Sequence, residues 1–185
     1  MLEYERLAHA DGLAAGLRAA LEGVDARAVA PGEVVAVAEV PAGADVVAHS
    51  LAEAEGIAFV RSAADREYAA DTALAVAAAR LGGTRRLLDQ AVEHLSGRES
   101  GGEPLTRKQL LVGAVGDLVT AAGYARHLLA AARPVAADIA ETHDRITDID
   151  WQVAMLFGAN GYLAEHPARG AHVSALVANT WVSGR

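Results

Sequence analysis

The sequence predicts a mainly α fold: an antiparallel helical bundle preceded by a short helix and a small β-rich segment. Two observations carry that expectation. From about residue 66 to 157, apolar residues return every third or fourth position in three long runs, with only short polar or proline-bearing connections between them. Between about 33 and 60 the pattern becomes two short Val-rich runs bounded by turn residues, which is the mark of strands. The chain divides accordingly into residues 1–65 and 66–185.

In chain order, residues 2–21 carry Leu2, Leu7, Leu13, Leu17 and Leu21 and read as one amphipathic helix closed by Gly23. Glu33 to Val40 reads as a strand ending in the turn Pro41-Ala42-Gly43, and Ile57 to Val60 as a second strand. Between them, Ala44 to Glu55 is open to a third strand with a loop or to a single helix. The first long helix bears Leu74, Ala78, Leu81, Leu88, Val92 and Leu95 on one stripe, with Arg80, Arg85, Arg86, Asp89 and Glu93 between them. After the polar turn Arg98 to Pro104, the second helix carries Leu111, Val115, Leu118, Ala122, Ala125 and Leu129. Thr106 is its expected N-cap, and Pro134 stops it or bends the chain into the next helix. The third has Ile139, Ile146, Ile149, Val153 and Leu156 on one side, and Asp144, Asp148 and Asp150 are expected to form an acidic outer face. Helices of roughly 25 to 30 residues, about 40 Å long, with connections this short pack as neighbouring antiparallel rods.

Composition bounds the function. A single chain of 185 residues can bury a substantial core. A formal charge of −8 without a basic stripe argues against nucleic acid or an anionic membrane surface as partner. There is no cysteine, so thiolate chemistry and disulfides are excluded. No uncharged apolar run reaches the length of a membrane span, and the start of the chain lacks the pattern of a secretory leader. A cytoplasmic protein is the expectation. His94, His127, His143, His166 and His172 show no metal-ligand spacing, so no metal is expected, and His127 is placed on or near a solvent face.

Four marks lie within the bundle: Leu81-Gly82; Arg98-Glu99-Ser100-Gly101-Gly102-Glu103-Pro104-Leu105; Gln109; and Phe157-Gly158-Ala159-Asn160-Gly161-Tyr162 followed by Glu165-His166-Pro167. On these, the stretch from Leu74 to Val182 resembles the carboxy-terminal helical domain of the acyl-CoA dehydrogenases, flavoenzymes acting on acyl thioesters. Residues 1–65 then look like a shortened remnant of that family's middle β domain. The resemblance implies FAD as cofactor, with Arg98 reaching the pyrophosphate across a subunit interface, Ser100 near the same phosphates, Gln109 approaching the dinucleotide, and Gly158, Ala159 and Gly161 in a glycine turn where backbone meets cofactor. The turn's other reading is a helix C-cap and tight turn that owe nothing to a ligand.

Three positions depart from the family pattern. Gly101 stands where the family usually has phenylalanine, Met155 in place of a glutamine, and Ala159 in place of a glycine. The family's catalytic glutamate is matched at neither of its two places, which here hold Thr72-Ala73 and Trp181-Val182-Ser183-Gly184-Arg185; Asp71 is adjacent but points away. No catalytic residue is therefore assigned. The expectation is a subunit of an acyl-CoA dehydrogenase-like flavoprotein assembly, a homo-oligomer (dimer or tetramer) or a complex with a separate dehydrogenase-like chain. The alternatives are a flavin-free scaffold, or a non-redox biosynthetic enzyme such as a cyclase or lyase.

Overall fold

The structure, a computed structural model, describes residues 1–65 and 67–182. Arg66 and Ser183 to Arg185 lie outside the described residues. The three expected long helices are present as α5 (Ala70–Ser96), α6 (Gln109–Ala131) and α7 (Ala136–Met155), joined by a fourth, α8 (Arg169–Trp181). Before them come α1 (Leu2–Asp11), α2 (Leu13–Ala20), α3 (Ala26–Val29), β1 (Val34–Val37), β2 (Val46–Val47), α4 (Ser50–Ala54) and β3 (Ala58–Arg61). The strands form one antiparallel sheet in the order β1-β3-β2, with Val35 and Val46 both opposite Val60.

α5 is the central rod. α1 and α2 cover one side of it while α6, α7 and α8 pack on the others, so every residue from Ala73 to Gly82 is buried. α6 and α7 turn in the stripes that their spacing predicts: Leu118, Ala122, Ala125 and Leu129 are buried on one, and Ile139, Ile146, Ile149 and Val153 on the other. α8 ties the bundle to the sheet, since the Ala36 amide of β1 donates to Thr180 Oγ1 at 3.2 Å.

Four expectations are corrected. The helix expected over 2–21 is two helices, broken at Gly12, whose φ of 97° leaves the helical region and turns the chain. The segment 44–55 is neither a strand with a loop nor one helix, but the two-residue strand β2 followed by α4. Thr106 is not the N-cap of α6; it sits in a 3₁₀ turn, Leu105–Arg107, and Lys108 occupies the cap position without a side-chain bond. Asp150 does not share an outer acidic face, being 1% exposed while Asp144 and Asp148 are exposed.

α1 lies close on α5 because Gly82 has no side chain. A β-carbon there would overlap the Glu5 carbonyl oxygen and come within 2.7 Å of Ala8 Cβ. Glu5 is itself buried and accepts from Arg85 Nη1 at 2.6 Å and from Arg126 Nε at 2.9 Å, which pins α1 to both α5 and α6. Gly82→Ala improves helix propensity by about 1 kcal/mol, yet it forces α1 off α5. The net expectation is a loss of about 1–3 kcal/mol in urea unfolding followed by circular dichroism, as for overpacked cores. A stabilised variant would contradict this packing.

Candidate functional site

The marks of the polar turn and the glycine turn meet at one end of the bundle. α5 ends at Ser96, and a hairpin follows, with β4 (Glu99–Ser100) paired to β5 (Glu103–Pro104). Its two turn residues, Gly101 and Gly102, have φ of 66° and 76°. Two consecutive positive φ values are the requirement of a type I′ turn, so glycine at 101 has a local cause. The Leu105 amide donates to the Arg98 carbonyl at 2.8 Å, and Lys108 Nζ reaches Glu103 Oε2 at 3.0 Å; both fold the hairpin against the start of α6.

Arg98 is exposed, and its Nη1 lies 3.1 Å from Nε2 of His94, one turn earlier on α5. His94 is held below the ordinary histidine range, first by partial burial and then by the positive charges of Arg98 and His166. At neutral pH it is thus the acceptor of Arg98's proton. Its ring centroid is 5.3 Å from that of Phe157 and 6.0 Å from that of His166, while Phe157 and His166 stand 4.7 Å apart. The His166 Nδ1 accepts from the Ala168 amide at 3.1 Å, which fixes that ring. This three-ring cluster connects the Arg98 edge to the 3₁₀ turn Gly158–Tyr162 after α7. A cleft of about 490 Å³ lies over it, lined by His94, Arg98, Phe157 and Gly158 and closed by Asp117 and Leu118 of α6.

The six residues implied as cofactor contacts do not converge on one point. Arg98 and Gly158 share that cleft, whereas Ser100, Gln109 and Ala159 are exposed. Gly161 lines a second cleft of about 450 Å³ with Trp151, Tyr162 and His172. A β-carbon at Gly161 would come 2.7 Å from the Ala154 carbonyl oxygen, so glycine is needed there for contact with α7 itself. Gly158, with φ of 60°, ends that helix in the left-handed region. The exposed guanidinium of Arg98 and hydroxyl of Ser100 fit an anionic group that arrives from outside the chain. Asp117 in the same cleft opposes one lodged deep within it. Of the positions matched to the family's glutamate, Thr72 and Ala73 open α5, and Trp181 and Val182 are buried at the end of α8; the remaining three lie outside the described residues. Among the described residues no group of three His, Cys, Asp or Glu is placed to hold a metal ion, and no helix is long and apolar enough to cross a membrane.

Sequence spacing reveals the His94–Arg98 pair, four residues apart on one helix. It does not reveal Phe157 and His166 as their neighbours, because that contact depends on how α7 ends. A larger polar cluster was also missed. Arg80, fully buried, donates from Nε to Ser174 Oγ (3.0 Å), from Nη1 to His143 Nδ1 (3.0 Å) and the His143 carbonyl (3.0 Å), and from Nη2 to Thr147 Oγ1 (2.8 Å) and Asp150 Oδ2 (3.4 Å). Thr84 Oγ1 donates to Asp150 Oδ1 at 2.6 Å, and His143 Nε2 donates to the Ala73 carbonyl at 3.1 Å. Burial, opposed by Arg80 and by bonds from Ser174 and Thr84, pushes the Asp150 carboxyl up to about 6.

Comparison with known proteins gives the architecture a context. Residues 65–184 match the family model described as "Acyl-CoA dehydrogenase, C-terminal domain". Among solved structures, butyryl-CoA dehydrogenase from Megasphaera elsdenii is similar over 83% of this chain and 46% of its own, with a TM-score of 0.59 and 17% identity. FkbI, described as serving biosynthesis of a methoxymalonyl extender unit, is similar over 76% of this chain and 48% of its own, at a TM-score of 0.56 and 22% identity. The ChsE4–ChsE5 complex from Mycobacterium tuberculosis supplies a third, over 76% and 46%, at 0.51 and 18%. At such identities the likeness is one of fold, and this chain spans less than half the length of each of these chains. A comparison with curated protein sequences gave no match.

Proposed function

Because this chain belongs to the acyl-CoA dehydrogenase family, through its C-terminal domain, we propose that it is one subunit of an acyl-CoA dehydrogenase-like flavoprotein assembly acting on an acyl thioester. It supplies the helical oligomerisation domain (66–185) and one edge of an FAD site, while residues 1–65 are a remnant of the middle β domain. The observation that carries this reading is the outer face of α6 beside Arg98. Leu110 is 89% exposed, and Val112, Val119 and Tyr124 are each more than half exposed on a helix whose inner stripe already packs on α5 and α7. Such a face calls for a covering chain. A second copy brought there sets Arg98 and Ser100 against whatever anionic group that copy presents. A separate dehydrogenase-like chain is the heteromeric version of the same arrangement.

FAD, when bound, supplies the hydride-accepting chemistry. In this chain Arg98 would hold the pyrophosphate as a charged fork, with Ser100 as a further donor and Gln109 and the Gly158–Gly161 turn beside the dinucleotide. Visible absorbance of the purified protein between about 350 and 500 nm, with and without added FAD, together with light scattering, tests the reading. Flavin bands in an oligomer are the expected result. Arg98→Ala is expected to weaken FAD binding by roughly ten- to a hundredfold, the worth of a charged hydrogen bond, as read from quenching of flavin fluorescence. An oligomer that takes up no flavin, alone or mixed with a dehydrogenase-like partner, would leave the scaffold reading or a non-redox cyclase or lyase. The scaffold reading has its own support, since Gly161 is explained by contact with Ala154 and Met155 lacks an amide to offer a cofactor.

A further inference from the structure

A third cleft, of about 340 Å³, opens well away from the Arg98 edge, between the α1–α2 turn, α4, α5, α7 and α8. Its floor is Asp150 and Ser174, 1% and 4% exposed. Leu13, Gly83, Leu87 and Gly170 form its walls, so part of the lining is apolar and part is bare backbone. At roughly 30 Å³ per water the space exceeds a few solvent molecules and lies in the range of small-molecule sites.

Charge decides what fits. Asp11, Glu55, Glu165 and Asp150 line the cleft against two cations, Arg86 and Arg169. Arg86 Nη1 donates to the carbonyls of His9 and Ala10 at the end of α1. Arg169 Nε faces Glu55 Oε1 at 2.7 Å, and its other nitrogens donate to the carbonyls of Ala54, Ala164 and Glu165. With both guanidinium groups so engaged, the cleft is unsuited to an anion. The carboxylates do not form a metal cage among the described residues. At 3.4 Å, Arg80 Nη2 is farther from Asp150 Oδ2 than the 2.7–2.9 Å of a close charged pair, which leaves that oxygen with acceptor capacity. Burial also raises Glu55 despite the nearby Arg169 and Arg86, and raises Asp150 despite Arg80, so the cleft is short of positive charge.

We propose that this cleft binds a compact primary ammonium compound, with its N–H groups on Asp150 and its short hydrocarbon body against Leu13 and Leu87. The site goes beyond the flavin reading and does not rest on it, for Asp11, Leu13 and Glu55 precede the stretch that the family model matches. Binding can hold whether or not the chain takes up FAD.

Isothermal titration of the full chain with n-butylammonium tests it, using 1-butanol and butyrate as matched probes. Saturable binding of the amine is expected, at least about tenfold tighter than the alcohol, with none for butyrate, the ratio of a charged to a neutral hydrogen bond. Asp150→Asn is expected to weaken it about tenfold, and Glu165→Gln, at the exposed rim, two- to fivefold, roughly the worth of one exposed charge. Near pH 6 the amine displaces the Asp150 proton, so the measured heat varies with the ionisation enthalpy of the buffer; at pH 8 it does not. Should Asp150→Asn fail to fold, Glu165→Gln and the proton release decide. Equal binding of the alcohol, binding indifferent to both substitutions, or no saturable binding of the amine would each overturn the proposal.

Discussion

Arg80→Met is expected to lower the free energy of unfolding by about 3–5 kcal/mol in urea at pH 7.5, measured by circular dichroism at fixed protein concentration. The side chain is fully buried and joins five partners on α7 and α8. Its removal leaves Asp150 ionised in the interior with only hydroxyl donors, and leaves His143 Nδ1 without the proton it accepts from Arg80. Much of the loss thus comes from the groups left behind. Arg80→Met combined with Asp150→Leu removes the stranded charge as well and is expected to recover most of the deficit, since apolar replacements of buried ion pairs are often neutral or better. A single variant that loses less than about 1 kcal/mol, or a double variant no better than the single, would show that the cluster is solvated rather than sealed.

The bundle was legible because its stripes are simple. On α6, the steps of four and three from Leu118 to Leu129 name residues that are all buried. On α5 the same logic fails between Ala73 and Gly82, where neighbours on opposite sides bury every position and periodicity no longer marks an inner face. Arg80 looked like surface by its chemistry alone. Yet α7 carried a readable signal: His143 and Asp150 fall between Ile139, Ile146 and Val153 at steps of four and three, on the core stripe. Polar residues in core register call for a buried partner, and the partner is on α5. Glu5 had no such signal, because its burial depends on Arg85 and Arg126, 80 and 121 residues away. The Arg98 edge was visible as a motif. Its geometry was not, for Gly101 answers to the hairpin and Gly161 to Ala154.

Asp150 also sets a pH dependence with an uncommon sign. A carboxyl whose folded value is about 6, against 3.8 unfolded, binds its proton more tightly in the native state. Its ionisation therefore weighs against folding above about pH 6, and that penalty is relieved as the pH falls through 6 toward 3.8. Most native carboxylates act the other way: Asp25 and Asp138 are held below their ordinary value by hydrogen bonds from Arg27 and Arg133. These opposing groups cancel when the wild-type chain is compared with Asp150→Asn, which cannot titrate there. The difference in unfolding free energy, wild type minus variant, is expected to rise by roughly 3 kcal/mol between pH 7 and pH 4, since a tenfold change in proton affinity is worth about 1.4 kcal/mol. Parallel urea melts across that range measure it, and carbon NMR of the side-chain carboxyl places the midpoint. A difference that stays flat or falls on acidification would mean that Asp150 remains ionised beside Arg80, with the guanidinium outweighing the cost of burial.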